Sequence, residues 1–288
     1  MKIGISAFAW TAAFGSNHVK LLHWIKEAGL DGVEIPMFYP ADLPAVEIRR
    51  ACKASDLEVT VCAILPPEFN LISPDGAIRR KSCEHLRHCV DTSANLGARL
   101  LGGPLYAPIG YIPNHRPSED ERLSAVEAIK SVAPLLDSCQ MTLSIEPVNR
   151  SETFFLRTAA EAKKLCEAIS HPRVGATIDT FHANIEEKSI AQAVCTLGPH
   201  LKHLHASEND RGVLGRGHID FHGLVTALRG LGYDGYLMIE GFGYDRRETV
   251  APGFLWADPQ ISPEMLACEG LSHLQTILKY VDGNRIAL

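Results

Sequence analysis

Met141–Val148 reads MTLSIEPV and Val174–Thr180 reads VGATIDT. Both are short apolar runs of strand character that carry an acid near their ends, Glu146 and Asp179. Between them lies a helical pattern that opens with capping-box spacing, Thr158 to Glu161, where a side-chain oxygen can accept a free first-turn N–H. Strand, helix and strand in this order make one βα unit, and the unit repeats outward in both directions. Upstream come Lys2–Ala7 (KIGISA), Gly32–Met37 (GVEIPM), Glu58–Leu65 (EVTVCAIL) and Arg99–Leu105 (RLLGGPL); downstream come Leu201–Ala206 (LKHLHA) and Tyr236–Gly241 (YLMIEG). The intervening segments carry further boundary signals. Ser118 to Glu121 is a second capping box, Ser262-Pro263-Glu264 places proline at a first helical position, and Gly29 and Gly232 suit left-handed helix ends before the next strand.

Eight strand-then-helix units at fairly regular spacing predict a closed parallel (β/α)8 barrel. Such barrels run as single units of about 250 residues, so one catalytic domain is expected over residues 1–288, and no linker or low-complexity segment argues for a second. An open doubly wound sheet would place a G-x-G-x-x-G phosphate loop after its first strand. Here that strand runs into Phe8-Ala9-Trp10, and Gly212-Val-Leu-Gly215-Arg-Gly217, which lacks that spacing, reads as a loop.

Composition narrows the function. Of 288 residues 46% are hydrophobic and 22% charged, enough apolar material for one large core. A net charge of -6 argues against nucleic acid or an anionic membrane as partner, since both call for clustered Lys and Arg. No apolar stretch approaches the roughly 20 residues that span a bilayer, and the N-terminus does not read as a signal peptide. The eight cysteines contain no C-x-x-C pair and mostly sit in apolar patterns, so reduced core thiols and a cytoplasmic location are expected.

Barrel enzymes carry their chemistry at the C-terminal ends of the strands. Strand five is expected to end at Glu146, strand six at Asp179, strand seven at His205 and strand eight at Glu240, each separated from the next by roughly the 30 residues of a βα unit. One acid at a strand end is commonly a helix cap or an ion-pair partner. Four such residues at equivalent places in successive units point instead to one metal site. Three carboxylates and an imidazole, with no cysteine near them in sequence, suit Mn²⁺ first, or Mg²⁺ or Co²⁺. His203, two residues before His205, faces the same side one layer deeper and is expected to be a packed, hydrogen-bonded residue. Asp220 is expected to cap the next helix.

Around these positions the strings Glu146-Pro-Val-Asn-Arg-Ser-Glu152, Ile178-Asp-Thr-Phe-His-Ala-Asn-Ile-Glu-Glu187, His203-Leu-His-Ala-Ser-Glu-Asn-Asp-Arg211 and Ile239-Glu240, with Pro67-Glu-Phe-Asn and Ser73-Pro-Asp75, resemble the D-tagatose/D-allulose (psicose) 3-epimerase family of xylose-isomerase-like TIM barrels. The resemblance implies that Glu146, Asp179, His205 and Glu240 bind the metal and that Glu152, His182 and Arg211 grip the substrate around O1 to O3. It also implies a homodimer or homotetramer acting on a small sugar. Four positions depart from the family pattern: Ser151 and Ser6 stand where aromatic residues are frequent, Ala257 after Leu255-Trp256 where Arg is frequent, and Gly241 where Pro or Ser is frequent. They bear on which ketose is preferred.

Epimerisation at C3 of a free ketose, of the D-fructose/D-allulose, D-tagatose/D-sorbose or L-ribulose/L-xylulose type, requires removal of a carbon-bound proton. A divalent ion on O2 and O3 would polarise the carbonyl and hold a cis-enediolate. Inversion then needs a base on each face, and Glu146 and Glu240 are the expected pair. An aldose–ketose or hydroxypyruvate-type isomerase is the alternative on the same barrel. An endonuclease-IV-like nuclease would want a His-rich multi-zinc site and a basic groove.

Overall fold

The computed structural model describes residues 1–243 and 260–285, and the stretch holding Leu255, Trp256 and Ala257 lies outside the described residues. Eight parallel strands close on themselves: β1 (Lys2–Ser6), β2 (Gly32–Met37), β3 (Glu58–Ala63), β4 (Leu100–Gly103), β5 (Thr142–Ile145), β6 (Val174–Asp179), β7 (Leu201–Ala206) and β8 (Tyr236–Ile239). Strand β8 pairs with β1 through Lys2↔Tyr236 to Ile5↔Ile239, which completes the barrel. Helices stand between the strands, among them Val19–Glu27, Gly76–Asn95, Ala159–Ile169 and Phe221–Leu231, and the helix Pro263–Arg285 follows β8 and the undescribed stretch. The expected (β/α)8 architecture is therefore present.

The boundary signals act as the sequence indicates. Ser118 and Thr158 each accept a hydrogen bond from the N–H of the glutamate three residues on, and Asp220 accepts from the Gly223 N–H. Gly232 takes φ 73° after Leu231, where a side chain would be strained. The strand ends differ from expectation by a residue. Strand β5 stops at Ile145 and β8 at Ile239, while His205 is the penultimate residue of β7 rather than its last. Glu146 and Glu240 nonetheless remain tethered to the neighbouring strand, donating backbone N–H bonds of 3.0 Å to Gly103 and Ala206 carbonyls. They sit where the sheet gives way to loops.

Alternation divides each strand. Val33, Ile35, Val59, Val61, Leu143, Ile145, Ile178, Leu204, Leu237 and Ile239 are buried in the main apolar cluster with helix residues such as Leu22, Ile48, Leu86, Leu165 and Leu224. The lumen is polar instead. Ser6, Glu34, Thr60, Ser144, Thr177, His203 and His205 are buried there, tied by contacts such as Ser144 Oγ to Thr177 Oγ1 at 2.7 Å. Each of these side chains makes at least one hydrogen bond, as buried polar groups typically do, while Glu34 Oε1 and His205 Nε2 meet at 2.8 Å without hydrogen-bond alignment and His203 Nδ1 has no hydrogen bond. A register shift between Ala176 and Thr177 passes over Lys202, after which Thr177 faces His203 and Asp179 faces His205. Gly175 permits it, because a Cβ there would lie 2.3 Å from the His200 carbonyl oxygen.

All eight cysteines are free. Cys52, Cys62, Cys89 and Cys166 are buried, but Cys195 and Cys268 are exposed and Cys83 and Cys139 half-buried, so only half of them match the expectation of core thiols. Among the described residues no helix is long and apolar enough to cross a membrane.

Candidate active site

The four proposed ligands converge. The metal-ligating atoms of Glu146, Asp179 and His205 all lie within 4.8 Å of one another, and all three residues are buried. Glu240 joins them, with Oε2 3.5 Å from His205 Nδ1, the nitrogen that also stands 3.1 Å from Glu146 Oε1. Asp179 does double duty, since its Oδ1 accepts from the Phe181 N–H and caps the helix Thr180–Glu186 while Oδ2 turns toward the cluster.

Arg211 closes the arrangement. Its Nη1 donates to Asp179 Oδ2 and Glu240 Oε2, each at 2.7 Å, and to Ser207 Oγ at 3.0 Å. The guanidinium carbon lies 4.0 Å from the centre of the Phe181 ring and 5.0 Å from that of Phe242. The Arg211 backbone has φ 62°, a left-handed conformation costing on the order of 1–3 kcal/mol for such a residue. Its N–H bond to the Glu208 carbonyl and the ion pairs hold it there.

The expected substrate-gripping residues lie alongside. Asn149, not singled out from sequence, organises two of them: its side-chain amide donates to Glu152 Oε1 at 2.7 Å and lies 2.9 Å from His182 Nδ1, which also accepts from the Asn149 backbone N–H. His182 Nε2 lies 3.3 Å from Arg211 Nη2 and 3.5 Å from Asp179 Oδ2. Glu146, Glu152, His182, Arg211 and Glu240 form the polar end of a cavity of about 540 Å³. Its remaining walls are largely apolar, from Phe8, Phe38, Ile64, Leu65, Pro66 and Phe242. Ser151 is exposed outside this wall and Ser6 lies buried in the lumen, so neither supplies an aromatic surface to it.

Electrostatics show what the cluster lacks. Burial raises the Asp179 carboxyl, but the Arg211 guanidinium and then His182 outweigh it and hold the group well below the usual carboxylate range. The Glu240 carboxyl is pushed up to about 8 by burial, with Asp179 and Glu146 adding to the rise against His205 and Arg211. Burial lowers the His205 imidazole, yet Glu240, Glu34 and Glu146 together carry it well above its usual value. Even with Arg211 in place, the acids stay short of positive charge and one of them holds its proton. A divalent cation among three carboxylates and one imidazole nitrogen would satisfy that need, so the donor set fits a metal.

Two features of the site escape a linear reading. Glu34 of β2 reaches His205 and His203 from across the lumen. Burial would raise its carboxyl, but the two imidazoles hold it well below the usual range. Cys62 Sγ, Glu34 and His205 also lie within 4.8 Å of one another, which corrects the expectation that no cysteine is near. Burial, reinforced by Glu34 and Glu146, raises the Cys62 thiol well above its usual value, so it offers a neutral S–H rather than a thiolate. His203 is fully buried and hydrogen-bonded, as expected.

A barrel with this site defines a class, and comparisons with known proteins identify it. Residues 22–274 match the xylose isomerase-like TIM barrel family. The probable ketose 3-epimerase of Synechocystis sp. is 30% identical over 275 residues, 96% of each chain. A solved L-ribulose 3-epimerase superposes with a TM-score of 0.93 at 26% identity, covering 99% of this chain and 97% of its own. The D-psicose 3-epimerase of Clostridium cellulolyticum, solved with D-tagatose, gives 0.88 at 27% identity, covering 96% and 99%. The chain belongs to the xylose isomerase-like TIM barrel family and, within it, to the ketose 3-epimerases, enzymes of the isomerase class.

Proposed function

We propose that this protein interconverts C3 epimers of a free ketose, with Glu146, Asp179, His205 and Glu240 holding a divalent ion and with Glu146 and Glu240 moving the proton. The observation that carries the reading is the convergence of two glutamates, just beyond the ends of β5 and β8, within 3.5 Å of one imidazole nitrogen, both glutamates lining a cavity of about 540 Å³. Mn²⁺ is the ion we favour, with Mg²⁺ or Co²⁺ as alternatives, because hard oxygen donors outnumber nitrogen and the nearby thiol is neutral. Bound there, the ion acts as a Lewis acid that lowers the barrier to ionising the carbon beside the carbonyl.

The protein's own groups do the rest. One glutamate takes the C3 proton and the other returns a proton to the opposite face, their roles exchanging in the reverse direction. Asp179 and His205 serve as ligands. Glu152 and His182, locked by Asn149, and Arg211, packed against two aromatic rings, present a carboxylate, an imidazole and a cation to the hydroxyl end of the sugar. Charge building on the substrate oxygens as the proton leaves would be met by His182 and Arg211.

An unphosphorylated substrate fits the cavity better than a sugar phosphate. Among the described residues Arg211 is the one Lys or Arg in its lining and is already engaged by Asp179 and Glu240, and the other described walls are largely apolar. Incubating the Mn²⁺-loaded protein with free D-fructose, D-tagatose, D-allulose and L-ribulose, and separating the products by sugar chromatography, tests the reading. C3 epimers are expected. Aldoses instead would place the chemistry at C1 and C2 and favour the aldose–ketose isomerase reading.

A further inference from the structure

Glu34 is fully buried in the lumen, does not line the cavity and has no part in the proton transfer described above. It sits in register with Thr60 of the neighbouring strand β3, whose Oγ1 donates to Glu34 Oε2 at 3.1 Å. The same oxygen lies 2.8 Å from His203 Nε2, while Oε1 lies 2.8 Å from His205 Nε2. One carboxylate therefore spans two imidazoles that project from the same strand two residues apart, and a third contact stops it from turning.

The consequence falls on His205. Its ring has one nitrogen facing Glu34 and the other, Nδ1, facing Glu146 and Glu240. A neutral imidazole carries one proton and one lone pair, and only the lone-pair nitrogen can ligate a metal. Carboxylates that can only accept face both nitrogens, and once the Nδ1 lone pair is given to a metal the remaining proton stays on Nε2, 2.8 Å from Glu34 Oε1. We propose that Glu34 is a positioning residue for metal binding: it holds the His205 proton on Nε2 and so aims the Nδ1 lone pair at Glu146, Asp179 and Glu240. This rests on the metal-site reading given above. His203 and Thr60 act one step further out, fixing the carboxylate that fixes the imidazole. Partners of this kind typically govern metal affinity by 10–100-fold.

Glu34→Gln is the direct test, because the amide keeps the volume and removes the purely accepting character. Its NH2 group, if it faces His205, demands a lone pair at Nε2 and drives the proton to Nδ1. Mn²⁺ binding is read from the loss of the free-ion EPR signal on titration, independently of turnover. The expected result is a dissociation constant raised 10–100-fold over the unmodified protein, with far-UV circular dichroism unchanged. Wild-type affinity in Glu34→Gln overturns the positioning role while leaving the site reading intact, whereas no Mn²⁺ binding by the unmodified protein defeats the site reading and the proposal with it.

Should Glu34→Gln fail to fold, the unmodified protein supplies the second measurement. With ¹⁵N-labelled histidine and saturating Mg²⁺, long-range ¹H–¹⁵N spectra report which ring nitrogen of His205 carries the proton, assigned through His205→Asn. A proton on Nε2 supports the proposal and a proton on Nδ1 overturns it.

Discussion

Nη1 of Arg211 stands 2.7 Å from Oε2 of Glu240, and the same nitrogen reaches Asp179 Oδ2 at an equal distance. A protein cation thus bridges two buried carboxylates that we assign to a metal. Removing one partner from such a buried pairing typically costs 3–5 kcal/mol, because the remaining charge is left without compensation. Arg211→Ala should therefore lower the melting temperature of the metal-free protein. Mn²⁺ should recover more of the loss in the variant than it adds to the unmodified protein, since the ion then supplies the missing charge. With substrate, kcat/KM should fall roughly 10²-fold or more, the scale of losing one oxyanion donor. Calorimetric scans with and without Mn²⁺, beside steady-state kinetics, check both halves.

The metal-free protein should lose stability as pH rises toward 8. The Glu240 carboxyl goes from an ordinary 4.5 to about 8 in the fold, so between those values the folded chain holds a proton that the unfolded chain has released. Its contribution is complete below about 4.5 and fades as pH climbs through about 8. His205, raised as well, acts in the same direction. Asp179 and Glu34 are held low, so their contribution is present above their unfolded values and disappears in strong acid. Urea unfolding of EDTA-treated protein across pH 5 to 9 should show the decline, and Glu240→Gln should flatten part of it. An unchanged slope in that variant would count against the raised carboxyl.

Glu146→Gln and Glu240→Gln separate ligation from base catalysis. Each retains a carbonyl oxygen for an ion but cannot accept the C3 proton. Turnover should drop by roughly 10²–10⁴-fold in either variant, and C3 exchange with solvent deuterium should stop even where Mn²⁺ still binds. The check is NMR of the recovered ketose, with metal content measured on the same samples. Persistent exchange in both variants would end the two-base scheme.

Gly103 offers a test of how β4 supports the site. It has φ 123°, and a Cβ on it would lie 2.1 Å from the Ala63 carbonyl oxygen at the end of β3. Its own carbonyl accepts the Glu146 N–H. Gly103→Ala should cost roughly 3 kcal/mol or more, through strain and backbone displacement together. Gly110 also has a positive φ, 83°, but nothing within 4 Å of its missing Cβ, so Gly110→Ala should cost only about 1–2 kcal/mol. Urea unfolding of the two variants measures the difference, and equal losses would refute the steric account.

Local chemistry made much of this protein legible from its sequence. All eight runs hold a strand, and GVEIPM and LKHLHA became β2 and β7 with unchanged bounds, because a strand's alternation and its flanking turn residues are written in consecutive positions. Ser118, Thr158 and Asp220 read as caps because a cap and its partner are three residues apart. Glu146, Asp179, His205 and Glu240 were visible because the barrel repeats one unit, so equivalent places recur at near-regular spacing. The errors follow the same logic. Strands β5 and β8 end a residue early because a ladder's last bond depends on the neighbouring strand, and Cys195 and Cys268 are exposed because an apolar helical pattern does not say which face turns inward.

Tertiary structure alone decided the rest. Nothing in Gly32–Met37 marks Glu34 as the residue that meets His203 and His205, since that contact crosses the lumen between strands 169 positions apart for the His203 pair. Cys62 joins the same cluster only because β3 closes beside β2. The register shift beside Gly175 sets Asp179 opposite His205, and His200 and Lys202 come too close to residue 175 for a Cβ. The resemblance places Arg211 at the substrate, but only the folded chain packs it on Phe181 and buries it against Asp179 and Glu240. Sequence sets the alternation, the caps and the recurring acids, because these depend on neighbours along the chain. Which groups share a proton, a charge or a ligand depends on distances across the barrel, and those exist only once it has closed.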